Sequence, residues 1–202
     1  MASQQDTKTV TAQAFYKHDE TGYEKKRVRE HIVAITKDAA TGRVIQAVDL
    51  GPNIVTDKGD LYYAQRGAVE TPTHTFNKGM MVVAKSYTIT VASGGKTATF
   101  GKFVGLGGTY TGRQSFASGY PKTADSDTDN TGRTVDAVTY KRVYSTSQAN
   151  YTIRAIGISR FNGATSSSGQ LLSYKTLTAA QFIQKTSSMT LTVYINHTFL
   201  GV

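Results

Sequence analysis

The chain contains no cysteine and no tryptophan, and only three of its 202 residues are proline. Without cysteine it has no disulfide, no thiolate zinc site and no cysteine nucleophile. No apolar run approaches the roughly 20 residues that a membrane-spanning helix needs. The first residues, MASQQDTKTVTAQ, are polar and lack the apolar centre of a signal peptide. We therefore expect a soluble protein, made in a cytoplasm, with no membrane partner.

Negative charge is scarce after the first 70 residues. From Thr71 onward there is no glutamate, and thirteen lysines and arginines share this part of the chain with four aspartates, Asp125, Asp127, Asp129 and Asp136. The formal net charge of the whole chain is +9. Such a one-sided surface produces a strongly positive field. This field either serves solubility or favours an acidic partner, which is a protein surface or a nucleic acid.

The residues that are abundant favour β structure. Threonine, valine and tyrosine suit a pleated, half-buried surface, and 19 glycines separate short alternating runs. We predict an all-β fold with one short helix, arranged as an antiparallel, jelly-roll-like β-sandwich. Residues 1–30 carry many charges of both signs without a period, which predicts an extended N-terminal arm or edge element. Residues 31–202 form the predicted sandwich domain.

Three local patterns predict individual elements. HIVAIT and RVIQAVDL flank KDAATG and predict a hairpin with Gly42 in its turn. TDKGDLYYAQRG predicts a helix capped by Thr56 and ended by Gly67, with Leu61, Ala64 and Tyr62 as candidates to face the core. MTLTVYINHTF alternates cleanly and predicts a strand with Leu191, Val193, Ile195, His197 and Phe199 on one face.

The segment DSDTDNTGRTVD, residues 125–136, has the carboxylate spacing of a calcium loop. Aspartate at the twelfth position is, however, too short to replace the usual bidentate glutamate, and no pair of helices is predicted around the loop. The alternative is an exposed loop in which aspartates hydrogen-bond the backbone. We predict no metal here. Asp125, Asp127, Asp129 and Asp136 are instead expected to form an acidic loop that meets basic residues of an adjacent subunit.

No motif predicts catalysis or a cofactor. GKFVGLGGTYTG contains several glycines, but Tyr110 replaces the third glycine of a dinucleotide loop and no helix is predicted to follow. The four histidines are widely separated, and His197 lies on an apolar strand face, where a core or interface role is expected. We therefore predict a protein that is not an enzyme and that uses no cofactor.

Basic and aromatic residues supply the candidate contacts with a partner. Tyrosine and arginine are enriched in protein interfaces, and lysine or arginine with exposed aromatics also suits single-stranded nucleic acid. We expect a protein partner and do not expect nucleic acid, because no nucleic-acid-binding signature is present. The candidate contacts are Lys25, Lys26, Arg27, Arg29, Tyr140, Lys141, Arg142, Tyr144 and Arg154.

Five phrases, spread over roughly residues 31–200, together resemble a family of β-sandwich virion proteins from tailed bacteriophages. GPNIVTDKGDLYYAQ resembles the phrase that opens a short helix in such proteins, and KFVGLGGTYTG resembles the strand and glycine turn that follow. DTDNTGRTVDAVTY resembles an aspartate-rich loop leading into a strand. ANYTIRAIGISRF and MTLTVYINHTF resemble the two closing strands. The long charged N-terminus and the tyrosine-rich strands depart from that pattern.

The resemblance implies a non-enzymatic building block of the particle. It predicts capsid decoration or cement, or a neck or tail adaptor, which forms a homo-oligomer and contacts other virion proteins. The predicted location is the virion, assembled in the host cytoplasm. The alternative function is a carbohydrate-binding tail module, in which exposed tyrosines stack on sugar rings. A single-strand nucleic-acid binder is the third hypothesis.

Overall fold

The computed structural model describes residues 29–73, 76, 80–89, 98–100, 111–123, 137–159 and 171–198. This part of the chain contains fourteen strands, one α-helix and one 3-10 turn at Ala179–Gln181. The strands are β1 (Arg29–Asp38), β2 (Val44–Gly51), β3 (Ile54–Val55), β4 (Met80–Ala84), β5 (Tyr87–Ile89), β6 (Ala98–Phe100), β7 (Arg113–Ser115), β8 (Lys122–Thr123), β9 (Ala137–Tyr144), β10 (Thr152–Ile153), β11 (Ala155–Ser159), β12 (Leu171–Thr176), β13 (Ile183–Gln184) and β14 (Met189–Thr198), and the helix is α1 (Asp57–Gly67).

The predicted all-β fold with one short helix is confirmed. Every strand pairing in the described residues is antiparallel. The finer description as a jelly-roll-like sandwich stays a prediction, and so does the division into an arm and a domain. Residues 1–28 of the predicted arm lie outside the described residues, whereas Arg29 and Glu30 are the first two residues of β1.

Most of the strands belong to two five-stranded sheets. The first sheet has the order β2-β1-β14-β9-β8, and the second has the order β3-β12-β11-β4-β7. Two smaller pairs, β10-β13 and β5-β6, complete the strands of the described ranges. In the first sheet β14 pairs along its whole length with β1, from Arg29 opposite Thr198 to Asp38 opposite Met189. The last described strand of the chain therefore lies at the centre of its sheet.

Both sheets contribute to one hydrophobic core. The predicted alternation of β14 is confirmed for Leu191, Val193, Ile195 and His197, which are all fully buried, while Phe199 lies outside the described residues. Inward residues of β1, β4, β9, β11 and β12 pack in the same cluster. Its largest fully buried side chains are Tyr144, Phe76, Ile32, Leu50, Met81, Ile153, Ile156, Ile158, Leu172, Ile183 and Leu191.

Helix α1 begins and ends as predicted but presents a different face to the core. Thr56 is its N-cap, and its hydroxyl accepts a hydrogen bond from the Gly59 amide at 3.1 Å. Tyr62 is buried, whereas Leu61 is 45% exposed and Ala64 is exposed. The expectation that Leu61 and Ala64 face the core is therefore wrong. The helix lies against β12 and β3, and that contact buries the stripe carrying Gly59 and Tyr62 instead.

Gly59 allows this close packing of the helix. A Cβ atom at this position would collide with the main-chain oxygen of Leu172 and would lie 2.8 Å from Cγ1 of Val55. Glycine is normally unfavourable inside a helix, by about 1 kcal/mol relative to alanine. Here the absence of a side chain lets the helix backbone approach the second sheet.

The predicted hairpin between β1 and β2 is confirmed. Gly42 in the connecting turn has φ = 71°, a left-handed conformation that glycine adopts without steric cost. The Asp38 carboxylate accepts hydrogen bonds from the amide of Thr41 at 2.8 Å and from its hydroxyl at 2.7 Å. These bonds lower the pKa of Asp38. No helix in the described ranges combines the length and the apolar character needed to cross a membrane.

Candidate interaction surface

Strand β9 has one face toward the core and one face away from it. Tyr140 and Tyr144 lie on the core face and are 2% and 0% exposed. The Tyr144 hydroxyl donates hydrogen bonds to the carbonyl oxygens of Met81 at 3.0 Å and Gly112 at 3.3 Å. Burial raises the pKa of Tyr144 well above its ordinary value. The expectation that these two tyrosines are exposed partner contacts is corrected, because the alternation of β9 turns both rings inward.

Tyr140 belongs to a polar cluster with the half-buried Tyr63 and the buried His197 and Ser173. The Tyr63 hydroxyl is hydrogen-bonded to Nδ1 of His197 and lies 3.1 Å from the Tyr140 hydroxyl. On the other side of the ring, Nε2 of His197 lies 3.4 Å from Oγ of Ser173. His197 and Ser173 are fully buried. The cluster joins α1, β9, β12 and β14, so its hydrogen bonds hold the helix and both sheets together.

Two of the four predicted arginine contacts, Arg142 and Arg154, are engaged within the chain. Arg142 donates hydrogen bonds to the carbonyl oxygen of Ser115 at 3.2 Å and to Oε1 of Gln148 at 3.1 Å. The exposed Arg154 lies over the ring of Phe182, 5.1 Å from its centroid. Arg142 therefore orders the loop after β9, and Arg154 covers an aromatic ring of the 179–182 turn region.

Lys141 is the predicted contact that the structure places in a new cluster. Its ammonium group lies 5.2 Å from the ring centroid of Tyr194 and 5.5 Å from that of Tyr120. Lys122 approaches the same Tyr120 ring at 5.0 Å. We call Tyr120, Lys122, Lys141 and Tyr194 the lysine–tyrosine patch. All four are partly exposed, so the charges and the ring edges can meet a partner.

Strand pairing brings these residues together. Lys141 on β9 is directly opposite Tyr194 on β14, and Lys122 on β8 is opposite Thr139 on β9. The alternation of β14 already places Tyr194 on the face opposite the core, which was the available sequence signal. Tyr120 and Lys122 lie in a segment without a strand pattern in the sequence, and only the pairing of β8 with β9 brings them to Lys141.

The charge around the patch is one-sided. Strands β8, β9 and β14 contain no aspartate or glutamate. The acidic residues of the first sheet belong to the two strands beyond β14, which are Glu30 and Asp38 of β1 and Asp49 of β2, whose carboxylate lies 2.9 Å from His31. Val143, on the same face of β9 as Lys141, is 41% exposed. The surface therefore combines two cations, two phenol rings and an apolar side chain, which suits an acidic partner.

Several predicted residues lie outside the described residues. These are Lys25, Lys26 and Arg27 of the predicted arm and the four acids of the predicted loop, Asp125, Asp127, Asp129 and Asp136. Arg29 is the first residue of β1, with its backbone opposite Thr198. Within the described ranges, no three histidine, aspartate or glutamate side chains lie close enough together to hold a metal ion. The calcium-like spacing of residues 125–136 remains a sequence observation.

No protein-family model, no curated protein and no solved structure matches the chain.

Proposed function

We propose that the protein is a non-enzymatic structural component of a tailed-bacteriophage particle that attaches to an acidic protein surface through the lysine–tyrosine patch. Capsid decoration or cement is the preferred role, with a neck or tail adaptor as the other form of the same proposal. The observation that carries it is the pair of lysines, Lys122 and Lys141, held over the rings of Tyr120 and Tyr194.

This arrangement fixes the position of charge on a β-sheet surface. A lysine packed over an aromatic ring is stabilised by about 0.5–1 kcal/mol at exposed sites, so it has less freedom than a solvated lysine. Less freedom before binding means a smaller loss of entropy on binding. Together with the acid-free strands β8, β9 and β14, the patch is suited to recognise carboxylates on a protein that it covers.

Binding to purified particles tests the attachment. Particles made without the protein are mixed with the wild type, with the variant Lys122→Glu/Lys141→Glu, or with the control Lys58→Glu/Lys85→Glu, and then sedimented. The control makes the same charge change at lysines outside the patch. We expect the patch variant to lose at least about tenfold in affinity, because both attractive charges become repulsive. The control should retain most of its binding.

Imaging decides the location on the particle. Particles lacking the protein should lose density from the capsid surface if the role is cement, or from the neck or tail if it is an adaptor. Equal binding by the patch variant and the control would refute the patch. Complete particles with no missing density would refute the structural role itself.

A carbohydrate-binding tail module is the second candidate, because Tyr120 and Tyr194 expose parts of their rings on one face. Aromatic rings in such a position can stack on sugar rings. A glycan array separates the two functions. Binding of a glycan that Tyr194→Ala abolishes would favour this candidate, whereas an array without signal and intact particle binding would favour the structural role.

A further inference from the structure

An uncharged row of side chains crosses the first sheet beside the lysine–tyrosine patch. Ile35 of β1 is paired with Ala47 of β2 on one side and with Thr192 of β14 on the other. Thr192 is in turn paired with Val143 of β9. Residues directly opposite one another on neighbouring strands share one face of the sheet. We call Ala47, Ile35, Thr192 and Val143 the uncharged row.

The uncharged row lies on the face of the sheet away from the core. Thr192 stands between Leu191 and Val193, which are both fully buried in the core, so the alternation of β14 turns Thr192 outward. Val143 is 41% exposed, and the other three members are partly exposed. Helix α1 does not cover the row, because it lies against β12 and β3 of the second sheet. The row is therefore accessible to a partner.

A lysine lies on either side of the uncharged row. The exposed Lys37 follows Ile35 by two residues on the same face of β1, where it is paired with Thr190. Lys141 of the patch lies on the other side, two residues from Val143 and opposite Tyr194. Measured along the strands, the two lysines are four residues apart, which is about 13 Å at 3.3 Å per residue.

The dimensions of this surface fit one α-helix that lies across the strands. A helix with its side chains is about 10–12 Å wide, so it fits between the rows of Lys37 and Lys141. Four strands spaced about 4.8 Å apart make the row about 14 Å long, which is about ten residues of helix. A second sheet would need several adjacent uncharged rows, whereas the rows on both sides here contain lysine.

The charges indicate which kind of helix fits. An amphipathic helix that binds through its apolar stripe would place that stripe on the uncharged row. Side chains at the two margins of the stripe would then lie near Lys37 and Lys141, where carboxylates are favoured. Asp49, at the β2 end of the row that contains Lys141, is already 2.9 Å from His31.

We propose that the outward face of the first sheet binds an amphipathic α-helix of the particle protein, with aliphatic side chains on the uncharged row and carboxylates on Lys37 and Lys141. The inference rests on the proposed function for the identity of the partner, and it names the element that the lysine–tyrosine patch recognises. The contact with a helix can be measured without particles.

Fluorescence anisotropy with three synthetic peptides tests the kind of partner. The first peptide carries leucine and alanine on one helical face and glutamate on both margins. We expect it to bind the full chain with a dissociation constant below about 100 µM. The second has lysine in place of glutamate, and the third has a central proline that interrupts the helix. Both should bind at least about tenfold more weakly, because one is repelled by the lysines and the other cannot form a continuous helix.

Variants of the protein test the position of the contact. Thr192→Glu puts a carboxylate at the centre of the uncharged row and should weaken binding of the acidic peptide at least about tenfold. Thr71→Glu is the matched control, because Thr71 is exposed and belongs to neither five-stranded sheet. Lys37→Glu changes an exposed side chain, so we expect the same loss of binding with an unchanged melting temperature.

Two results would overturn the helix contact. One is the absence of binding by the acidic peptide at about 1 mM. The other is equal binding by the proline peptide, or equal binding of the acidic peptide by Thr192→Glu and Lys37→Glu.

Sedimentation with particles separates this inference from the proposed function. Protein that binds the acidic peptide but not the particles would contradict the proposed function alone. Particle binding that Lys122→Glu/Lys141→Glu abolishes, but that Thr192→Glu and Lys37→Glu leave unchanged, would contradict the helix contact alone.

Discussion

The hydroxyl of Tyr63 is hydrogen-bonded to Nδ1 of His197, and this bond ties helix α1 to the buried face of β14. The same hydroxyl lies 3.1 Å from the Tyr140 hydroxyl. One half-buried phenol thus connects the buried side chains of His197 and Tyr140. A buried polar group that loses its partner costs more than the net value of the bond.

Replacement of Tyr63 by phenylalanine should destabilise the protein by about 1–3 kcal/mol, because it leaves His197 and Tyr140 without this partner. The measurement is urea unfolding followed by circular dichroism. Tyr87→Phe is the matched control, since Tyr87 is 38% exposed. A loss for Tyr63→Phe no larger than that of the control would contradict a structural role for the cluster.

Replacing each of two glycines of helix α1 by alanine should have different effects on the free energy of unfolding. Gly59→Ala should reduce the free energy of unfolding by more than about 1 kcal/mol, because the added Cβ collides with the Leu172 oxygen. Gly67→Ala has no atom within 4 Å of its new Cβ and should be neutral or stabilising by up to about 1 kcal/mol. The two melting temperatures check the prediction, and a stabilising Gly59→Ala would mean that the helix does not lie this close to β12.

Val69 is strained and fully accessible, so its removal should stabilise the protein. It has φ = 59°, it follows the C-terminus of α1, and it is 93% exposed. A left-handed conformation costs a residue with a side chain about 1–2 kcal/mol, and a β-branched residue adopts it rarely. Val69→Gly should therefore raise the free energy of unfolding by about 1 kcal/mol.

The same substitution at Val143 gives the control for Val69→Gly. Val143 is also exposed but lies within β9, where glycine should destabilise by about 0.5–1 kcal/mol. Thermal unfolding of both variants should show shifts of opposite sign. Destabilisation by Val69→Gly would contradict the left-handed conformation at this position.

Lys185 should make stability depend on pH. Its side chain is 2% exposed, its ammonium group donates a hydrogen bond to Oδ1 of Asn150 at 2.8 Å, and burial lowers its pKa from 10.5 to about 8. Between pH 8 and 10.5 the unfolded chain binds more protons at this lysine than the folded chain does. The free energy of unfolding should therefore increase as the pH rises from 8.

Three tyrosines limit this increase. Burial raises the pKa of Tyr144, of Tyr151 and of Tyr174 above the ordinary value of 10.0, so above pH 10 the unfolded chain releases protons that the folded chain retains. Stability should pass through a maximum near pH 10. Urea unfolding at pH 7, 8, 9 and 10 should show the rise in the wild type and in the exposed-site control Lys85→Met, and a flat dependence in Lys185→Met. An undiminished rise in Lys185→Met would refute the assignment to Lys185.

The elements that the sequence predicted are those encoded by local patterns. The alternation of β14 identifies its buried face, and Thr56 and Gly67 define the limits of α1. The buried side of the helix is not local information. Tyr62 rather than Leu61 is buried because β12 and β3 lie on that side, and those strands come from distant parts of the chain.

The candidate surface shows the same limit. The run YKRVY in β9 looks like a single basic and aromatic patch in the sequence, but its alternation divides it between the core and the opposite face. Lys141 gains its partners Tyr120 and Tyr194 from two other segments through β8 and β14. Assigning alternate residues of β9 to opposite faces would have separated Tyr140 from Lys141 in the sequence. The position of Tyr120 next to Lys141 follows only from the pairing of β8 with β9.

The position of β14 between β1 and β9 determines when the first sheet can assemble during synthesis. Ile32 pairs with Ile195, which the ribosome adds 163 residues later. Until then β1 and β9 lack their shared neighbour. The edge of each strand that will later pair with β14 is eight residues or longer and stays open to other strands. Closing so long a loop makes folding slow, and nascent chains that stop before β14 should bind chaperones or aggregate.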